Sequence, residues 1–581
     1  MFLKPNKKYY KGKEYITYTL TESYREDGKV KHRNISNLGT LTVEQADRIR
    51  LVLKAKQAKD VLVAQWPDVV VKKHFRYLDV MVLDYFWQQW GLNGFFKDVP
   101  YAEAMVVNRC LEPKSKIKVH SWVQKTVLPR LVSIGSEDSE YAVYQALDKI
   151  ANMEGELQSY LYDILKQKGK DVEKTIFYDI TSSYFEGTKC ILSTYGYSRD
   201  KRSDKEQITI ALVITPDGYP IYWRVMPGNT QDITTVENLL SELEERFKIK
   251  ECLLVFDRGM VSEDNLKAIH NQGLTYISAL DKDEIRGLGL MEDNFPELVK
   301  GDKWKEKLEE AGFLTYDDNL LYREHNKNNN RYILSFGKQL YTDNQVNRQE
   351  RLSKALSFLE ETNNELAQAK KSRDISTTAL KIDTQLRRLR MHKAIEYTLN
   401  PMVIDLVTSK GKERQVNTFS IIHTVQEDIL RKQGFLDGIT CFITNQATDK
   451  VSSRDVIYNY RRKNKVEEAF REIKGHLSLR PFYLHRDKRI QAHVSICVLG
   501  YFLLTAINEI LLVQKEKFSP AIVLEHLGEC QLNRIGLRKE TAYVESITDF
   551  TKEQLDLLKV LSCEHLVSSK YLTHILEHSA V

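Results

Sequence analysis

The clearest hydrophobic patterning begins near residue 171. "KTIFYDITSSYF" (174–185) reads as a strand, and "QITIALVITPDGYPIYWRVMPG" (207–228) as two more folded about Asp217-Gly218. "ECLLVFDRGM" (251–260) and "GLTYISALDKD" (273–283) are short apolar runs of strand length, each ending in an acid. Between them "TTVENLLSELEERFK" and "SEDNLKAIHNQG" carry apolar residues three and four apart, the helical period. Three early strands followed by strand–helix alternation predict an α/β layer domain with a mixed sheet. Upstream, 1–70 predicts a β-rich region with a hairpin at Asp27-Gly28, and 71–170 a helical domain.

Residues 282–434 break the rhythm. A polar hairpin pattern ("GFLTYDDNLLYREHNKNNNRYILSFG") precedes a long charged helix ("RQERLSKALSFLEETNNELAQAKK") and a return to mixed structure, which predicts an insertion. "FLDGITCFITN" (435–445) resumes a central strand, so the core reads as 171–281 plus 435–514. A basic helix at 458–475 and an apolar one at 493–513 follow, and 515–581 reads as helical. The apolar helix approaches membrane-span length. It carries Asn508 and Glu509 and continues a charged helix, so a buried core helix is expected rather than a span.

Composition narrows the class. The chain has 581 residues, too many for one ordinary core. Lys+Arg number 86 against 80 Asp+Glu, a net charge of +6, so the placement of the bases matters more than their excess. Seven scattered cysteines with no Cys-x-x-Cys pair point to buried thiols in a reducing compartment, not a disulfide framework or zinc knuckle. The first residues lack a signal-peptide core, and a cytoplasmic, nucleoid-associated protein is expected. No phosphate-binding Gly-x-x-x-x-Gly-Lys-Ser/Thr loop is present, so no nucleotide cofactor is expected.

Three acids stand out. Asp179 interrupts a run of β-formers, where an unpaired carboxylate is costly. Asp257 closes the apolar run Leu253–Phe256, and ligands gather at the carboxyl ends of strands in open α/β sheets. In "YNYRRKNKVEEAFREIKG" (458–475), helical spacing puts Tyr460, Lys463, Glu467 and Lys474 near one side, with Val466, Phe470 and Ile473 on a core-facing arc. Glu467 can then face the sheet while Arg461, Arg462, Lys465 and Arg471 cover the flanks. Each feature alone also fits an ordinary role: a turn cap, an edge-strand acid, a salt-bridged surface helix. Together, Asp179, Asp257 and Glu467 could hold hard cations such as Mg²⁺, with Mn²⁺ as a substitute. Two such ions would support phosphoryl transfer. Lys474 could meet a phosphate as a mobile point charge. Arg258 and the flanking bases would grip duplex DNA. Lys114, Lys116 and Lys118 suggest a basic edge on the helical domain, and Arg348 and Arg351 one on the long helix.

At these residues the chain resembles DDE transposases of bacterial insertion sequences, in the group marked by a Tyr-Arg-Glu-Lys signature. That pattern (Tyr, two residues, Arg, three residues, Glu, six residues, Lys) falls on Tyr460, Lys463, Glu467 and Lys474. Lys463 stands where the family has arginine, which keeps the charge and loses bidentate phosphate recognition. Asp179 in "YDITSSYFEG" and Asp257 in "FDRGM" match the two catalytic aspartates. Gly228, Asn229, Thr230 and Asp232 match the Gly-Asn-Thr-x-Asp turn between them. The front half adds weaker echoes in "SYREDGKVKHRNISNLG" and "NRCLEPKSK". The resemblance implies an RNase H-like catalytic core with an inserted domain before the catalytic glutamate and a helical N-terminal region. It also implies cut-and-paste transposition and a homodimer assembled on double-stranded DNA, with no membrane partner. A DNA nuclease that does not join strands, and a non-catalytic DNA-binding derivative, share the same residues as alternatives.

Overall fold

The computed structural model describes residues 1–55, 68–186, 190–327, 330–407, 413–538 and 541–577. Two compact units emerge. The smaller comprises Met1–Leu78, Gly528–Thr551 and Thr573–Val581, and the larger Asp79–Leu527 with Lys552–Leu572.

In the smaller unit β1 (Phe2–Tyr10), β2 (Lys13–Glu26) and β3 (Lys29–Gly39) form an antiparallel meander. The hairpin predicted at Asp27-Gly28 joins β2 to β3. Both residues have positive φ (52° and 76°), as a two-residue turn of matching twist requires. The Val43–Ala55 helix covers the sheet through a small core of Leu3, Tyr18 and Ala46. The stretch 56–67 of the predicted β-rich region lies outside the described residues. β4 (Val69–Arg76) pairs with Gln531–Leu537, which pairs with Tyr543–Ile547. The expectation of an all-helical tail is corrected here: its Gln531–Leu537 run alternates in burial and completes a sheet begun by β4, far away in sequence.

The larger unit is built on a nine-stranded mixed sheet. Its strands are β5 (Thr175–Tyr184), β6 (Gln207–Ile214), β7 (Pro220–Pro227), β8 (Leu253–Phe256), β9 (Thr275–Ala279), β10 (Leu314–Thr315), β11 (Leu320–Lys327), β12 (Asn330–Gly337) and, after a long excursion, β15 (Ile439–Thr444). The excursion holds a long hairpin, β13 (Ile395–Val407) with β14 (Glu413–Val425). The order across the sheet is β10-β11-β12-β15-β9-β8-β5-β6-β7. β5 to β7 run antiparallel, and β8 and β9 return parallel to β5. The chain therefore leaves β5 toward β6 on one side and comes back to β8 on the other, and a crevice opens at the carboxyl end of β8, beside the middle of β5. β6 and β8 are buried along their whole length, as their unbroken apolar runs require.

The predicted insertion is divided by the structure. Its first hairpin, β11–β12, extends the central sheet by pairing with β15. Beyond that hairpin, Lys338–Gly434 departs from the sheet. There the Lys338–Ala367 and Ile375–Arg388 helices pack on the β13–β14 hairpin around Leu359, Leu366, Ile382 and Leu386. The Asp487–Val513 helix is long and apolar enough to cross a membrane, yet about 67% of its most apolar window is buried inside the fold. It packs on the helices at Pro100–Leu111 and Glu140–Asn152 and on β7, the core position predicted for it.

Candidate active site

Strand register brings the two aspartates together. Tyr178 pairs with Phe256 across parallel β5 and β8, so Asp179 and Asp257 are the next residues on adjacent strands. Neighbouring strands lie about 4.8 Å apart, which places the two carboxylates side by side where β8 ends. Each carboxylate is anchored by the following backbone N–H: Ile180 N donates to Asp179 Oδ1 at 2.8 Å, and Arg258 N to Asp257 Oδ1 at 2.9 Å.

The third acid arrives on a helix. The predicted helix at 458–475 is two helices, Ser453–Arg462 and Asn464–Lys474, joined at Lys463. Val466, Phe470 and Ile473 are buried as the periodicity required. Glu467 lies in the first turn, where the helix dipole favours a carboxylate. The Lys463 side chain is only 4% exposed, and its ammonium lies 3.4 Å from Glu467 Oε1 and 3.9 Å from Asp257 Oδ1. Tyr460 packs its ring on Phe442 of β15 and donates its hydroxyl to Asp257 Oδ1 at 3.4 Å. Desolvation and the nearby Asp257 carboxylate push the Tyr460 phenol up from its ordinary value.

Asp179 feels the whole group. Burial pushes its carboxyl up to about 6. The Lys463 ammonium and the Ile180 N–H oppose that rise, and the Asp257 and Glu467 charges add to it. Three carboxylates and one lysine thus share one field at the crevice. The donor set has the chemistry of a hard divalent-cation site, oxygen-only and with excess negative charge. Among the described residues no three acidic, histidine or cysteine side chains are already drawn together at ligating distance.

The loop before β8 braces this corner. Asp232 pairs with Arg199 at 2.5 Å, and Arg199 N bonds Ser182 Oγ of β5 at 2.9 Å. A Cβ on Gly259, two residues beyond Asp257, would come 3.2 Å from Asp232 Oδ2. Gly228, which opens the same loop, sits against the backbone carbonyls of Gln207 and Thr194, where any side chain would collide.

More than half of the chain, residues 172–503, matches the transposase DDE domain, and residues 3–61 match the N-terminal domain of IS1634 family transposases. The chain belongs to the DDE transposase family. It is therefore a metal-dependent DNA transposase, of a family that generally uses divalent metal ions and binds DNA. The mixed sheet of the transposase fits the RNase H-like core of that family. No curated protein matches the sequence.

The remaining sequence-predicted bases of the transposase divide by what they touch. Arg258 and Arg471 are exposed and have no ion-pair partner among the described residues. Arg461 reaches Asp317 at 3.3 Å, and Arg462 donates to the Pro216 carbonyl at 2.9 Å. Lys474 is not a mobile cation: its ammonium is held by Asp200 at 2.9 Å, and burial pulls its pKa down. Arg480 joins the same carboxylate at 2.5 Å. Sequence reading missed Asp200, Arg199 and Arg480. The signal for Arg199 and Asp200 was the mixed-charge loop "YSRDKRSDKE" between two strands, which looks like solvated surface until helix and strand neighbours close on it. The predicted basic edge also changes. Lys114 pairs with Glu112 at 2.5 Å, Lys118 is exposed, and Lys116 is buried. Arg348 is engaged by buried Asp437, with Nη1 at 3.0 Å, so it fastens the long helix instead of offering a free cation. Arg351 is half-buried, and its Nε donates to the Asn347 carbonyl.

Proposed function

We propose that Asp179, Asp257 and Glu467 are the catalytic carboxylates and hold two Mg²⁺ ions, for which Mn²⁺ would substitute. The observation that carries this reading is the adjacent register of Asp179 and Asp257, with Lys463 linking Asp257 to Glu467. Divalent ions bound there would activate water or a 3′-hydroxyl and stabilise the departing oxygen. Tyr460 orients Asp257 through its hydroxyl, and the buried Lys463 offsets carboxylate repulsion in the metal-free protein. Arg258 and Arg471 then take phosphates of the bound duplex, with weaker help from Arg461. Hydrolysis at each element end frees a 3′-hydroxyl, which attacks a target phosphodiester in line.

The placement of Tyr460, Lys463, Glu467 and Lys474 supports the Tyr-Arg-Glu-Lys group. In this chain its lysine serves to fix Asp200 and the loop after β5. The helical segment 79–170, with exposed Lys118, is the proposed end-binding domain, and Lys338–Gly434 the inserted domain. Two copies would pair two element ends, in the cytoplasm at the nucleoid.

The test is a strand-transfer assay with pre-cut element ends and Mg²⁺ or Mn²⁺, alongside cleavage of uncut ends. Asp179→Asn, Asp257→Asn and Glu467→Gln should each abolish both steps while still binding DNA in gel shifts. Retention of either step by a folded variant would remove that residue from the catalytic set.

A further inference from the structure

Away from the carboxylates, the larger unit encloses a second group of bases. Arg109, Lys116 and His493 are each 6% exposed or less, and they lie close enough for their charges to act on one another. None forms an ion pair among the described residues. Among the described residues Lys116 Nζ has no hydrogen-bond partner, and neither does Arg109 Nε. The other two Arg109 nitrogens reach only the carbonyls of Ser478 and Lys114. His493 Nε2 contacts the Leu479 carbonyl at 3.1 Å.

Uncompensated buried cations are expensive. Lysine and histidine can respond by losing a proton, and burial does pull both Lys116 and His493 down from their ordinary values. Arginine does not lose its proton in proteins, so at least one positive charge stays buried here. The three line a cavity of about 210 Å³, together with Tyr144, Phe482 and Tyr483. The first turn of the Lys116–Val123 helix opens on it, and its N-cap Ser115 makes no side-chain bond to that turn. Two lysines in the first turn oppose the helix dipole, whereas an anion in front of it would be favoured by dipole, lysine and arginine together.

We propose that this cavity is a phosphate-binding subsite, distinct from the carboxylate cluster, which takes a phosphate group of a DNA strand or of a free nucleotide. The void is large enough for a phosphate with part of its attached sugar or base, and the aromatic side chains give that organic portion an apolar wall. Lys116 and Arg109 supply charge-assisted hydrogen bonds from one side, and the backbone N–H groups of the helix start supply them from another. The proposal does not depend on the metal chemistry of the active site, so it is tested in EDTA.

The measurement is the thermal unfolding of the full-length chain with inorganic phosphate, deoxyadenosine monophosphate or a single-stranded oligonucleotide, each matched in ionic strength with sodium chloride. Binding to the folded state raises the midpoint. Lys116→Met removes the orphan ammonium and keeps the volume. Ile117→Glu, at a 53% exposed residue of the lip, places a competing carboxylate at the mouth and leaves the buried packing untouched. Wild type should shift with at least one probe, and both variants should lose at least half of that shift. If Lys116→Met fails to fold, Ile117→Glu alone decides. A response to the oligonucleotide only assigns the phosphate to a DNA strand, and a response to phosphate or the mononucleotide assigns it to a free ligand. No shift in wild type with any probe, or an undiminished shift in the folded variants, overturns the proposal.

Discussion

Asp179 carries an internal cost that its chemistry explains. Its carboxyl titrates at about 6 in the fold, against an ordinary 3.8, chiefly because it is desolvated. Between those values the folded protein holds a proton that the unfolded chain has released. Metal-free stability therefore falls as pH rises from about 4 to about 6, and the full cost stands above that range. Asp179→Asn should melt higher than wild type at about pH 8 in EDTA, and the gap should close near pH 4. Calorimetry that finds the same gap at both values would mean that the carboxyl is not desolvated. The same proton competes with a cation, so metal affinity should drop below about pH 6. Lys463 is the counterpart. Replacing it with Met removes the cation between Asp257 and Glu467 and should lower metal-free stability by ~1–3 kcal/mol. Added Mg²⁺ should then raise the variant's midpoint more than that of wild type, because no ammonium competes for the carboxylates. An equal Mg²⁺ response in the two proteins would rule out that competition.

At the level of elements, what positions the site is close backbone approach and buried pairing. Gly228 lies where β7 leaves the sheet and a Cβ would meet two carbonyl oxygens, so Gly228→Ala should destabilise by at least ~2 kcal/mol. Gly287, inside the Lys282–Leu288 helix, has open space at its Cβ, and Gly287→Ala should stabilise by roughly 0.5–1 kcal/mol. Chemical denaturation of the pair gives a direct contrast, and equal effects would discount the backbone contact. The Arg348–Asp437 pair ties the long Lys338–Ala367 helix to the turn that leads into β15. Asp437 is 2% exposed, so Arg348→Met would leave a buried carboxylate whose ion-pair partner among the described residues is Lys282, 4.0 Å away, and should cost ~3–5 kcal/mol. A change within experimental error in urea unfolding would show that this carboxylate is solvated after all.

For the whole molecule the relevant quantity is how many cations remain free to meet DNA. A chain with 86 Lys+Arg commits many of them internally, whereas Arg258, next to Asp257, and Arg471, one helical turn from Glu467, are exposed and without an ion-pair partner among the described residues. Arg258→Ala and Arg471→Ala should each weaken duplex binding across sequences and lower the salt slope by about one. Arg462→Ala, whose guanidinium already bonds the Pro216 carbonyl, should leave the slope nearly unchanged. Fluorescence-anisotropy titrations over a range of salt measure both, and a loss of slope at Arg462 equal to that at Arg258 would contradict this division.

Much of the fold was legible because its signals are local. The unbroken apolar run of β8, the β-forming run of β5, the Asp27-Gly28 turn and the helical period around Val466, Phe470 and Ile473 each fix structure within a few residues. The same signals put Asp179 inside one strand-like run and Asp257 at the end of another, and the strand register made those runs neighbours. Sequence alone did not decide which charges are spent. Lys474, Arg348 and Lys116 looked like exposed cations, yet the first two meet Asp200 and Asp437, and the third is shut away beside Arg109 and His493. Nor did it show that β11 and β12 join the central sheet while Gln531–Leu537 joins β4. Hydrophobic period is a property of neighbouring residues along the chain. Burial, pairing and strand partnership are set by segments far apart in it, and only their packing determines them.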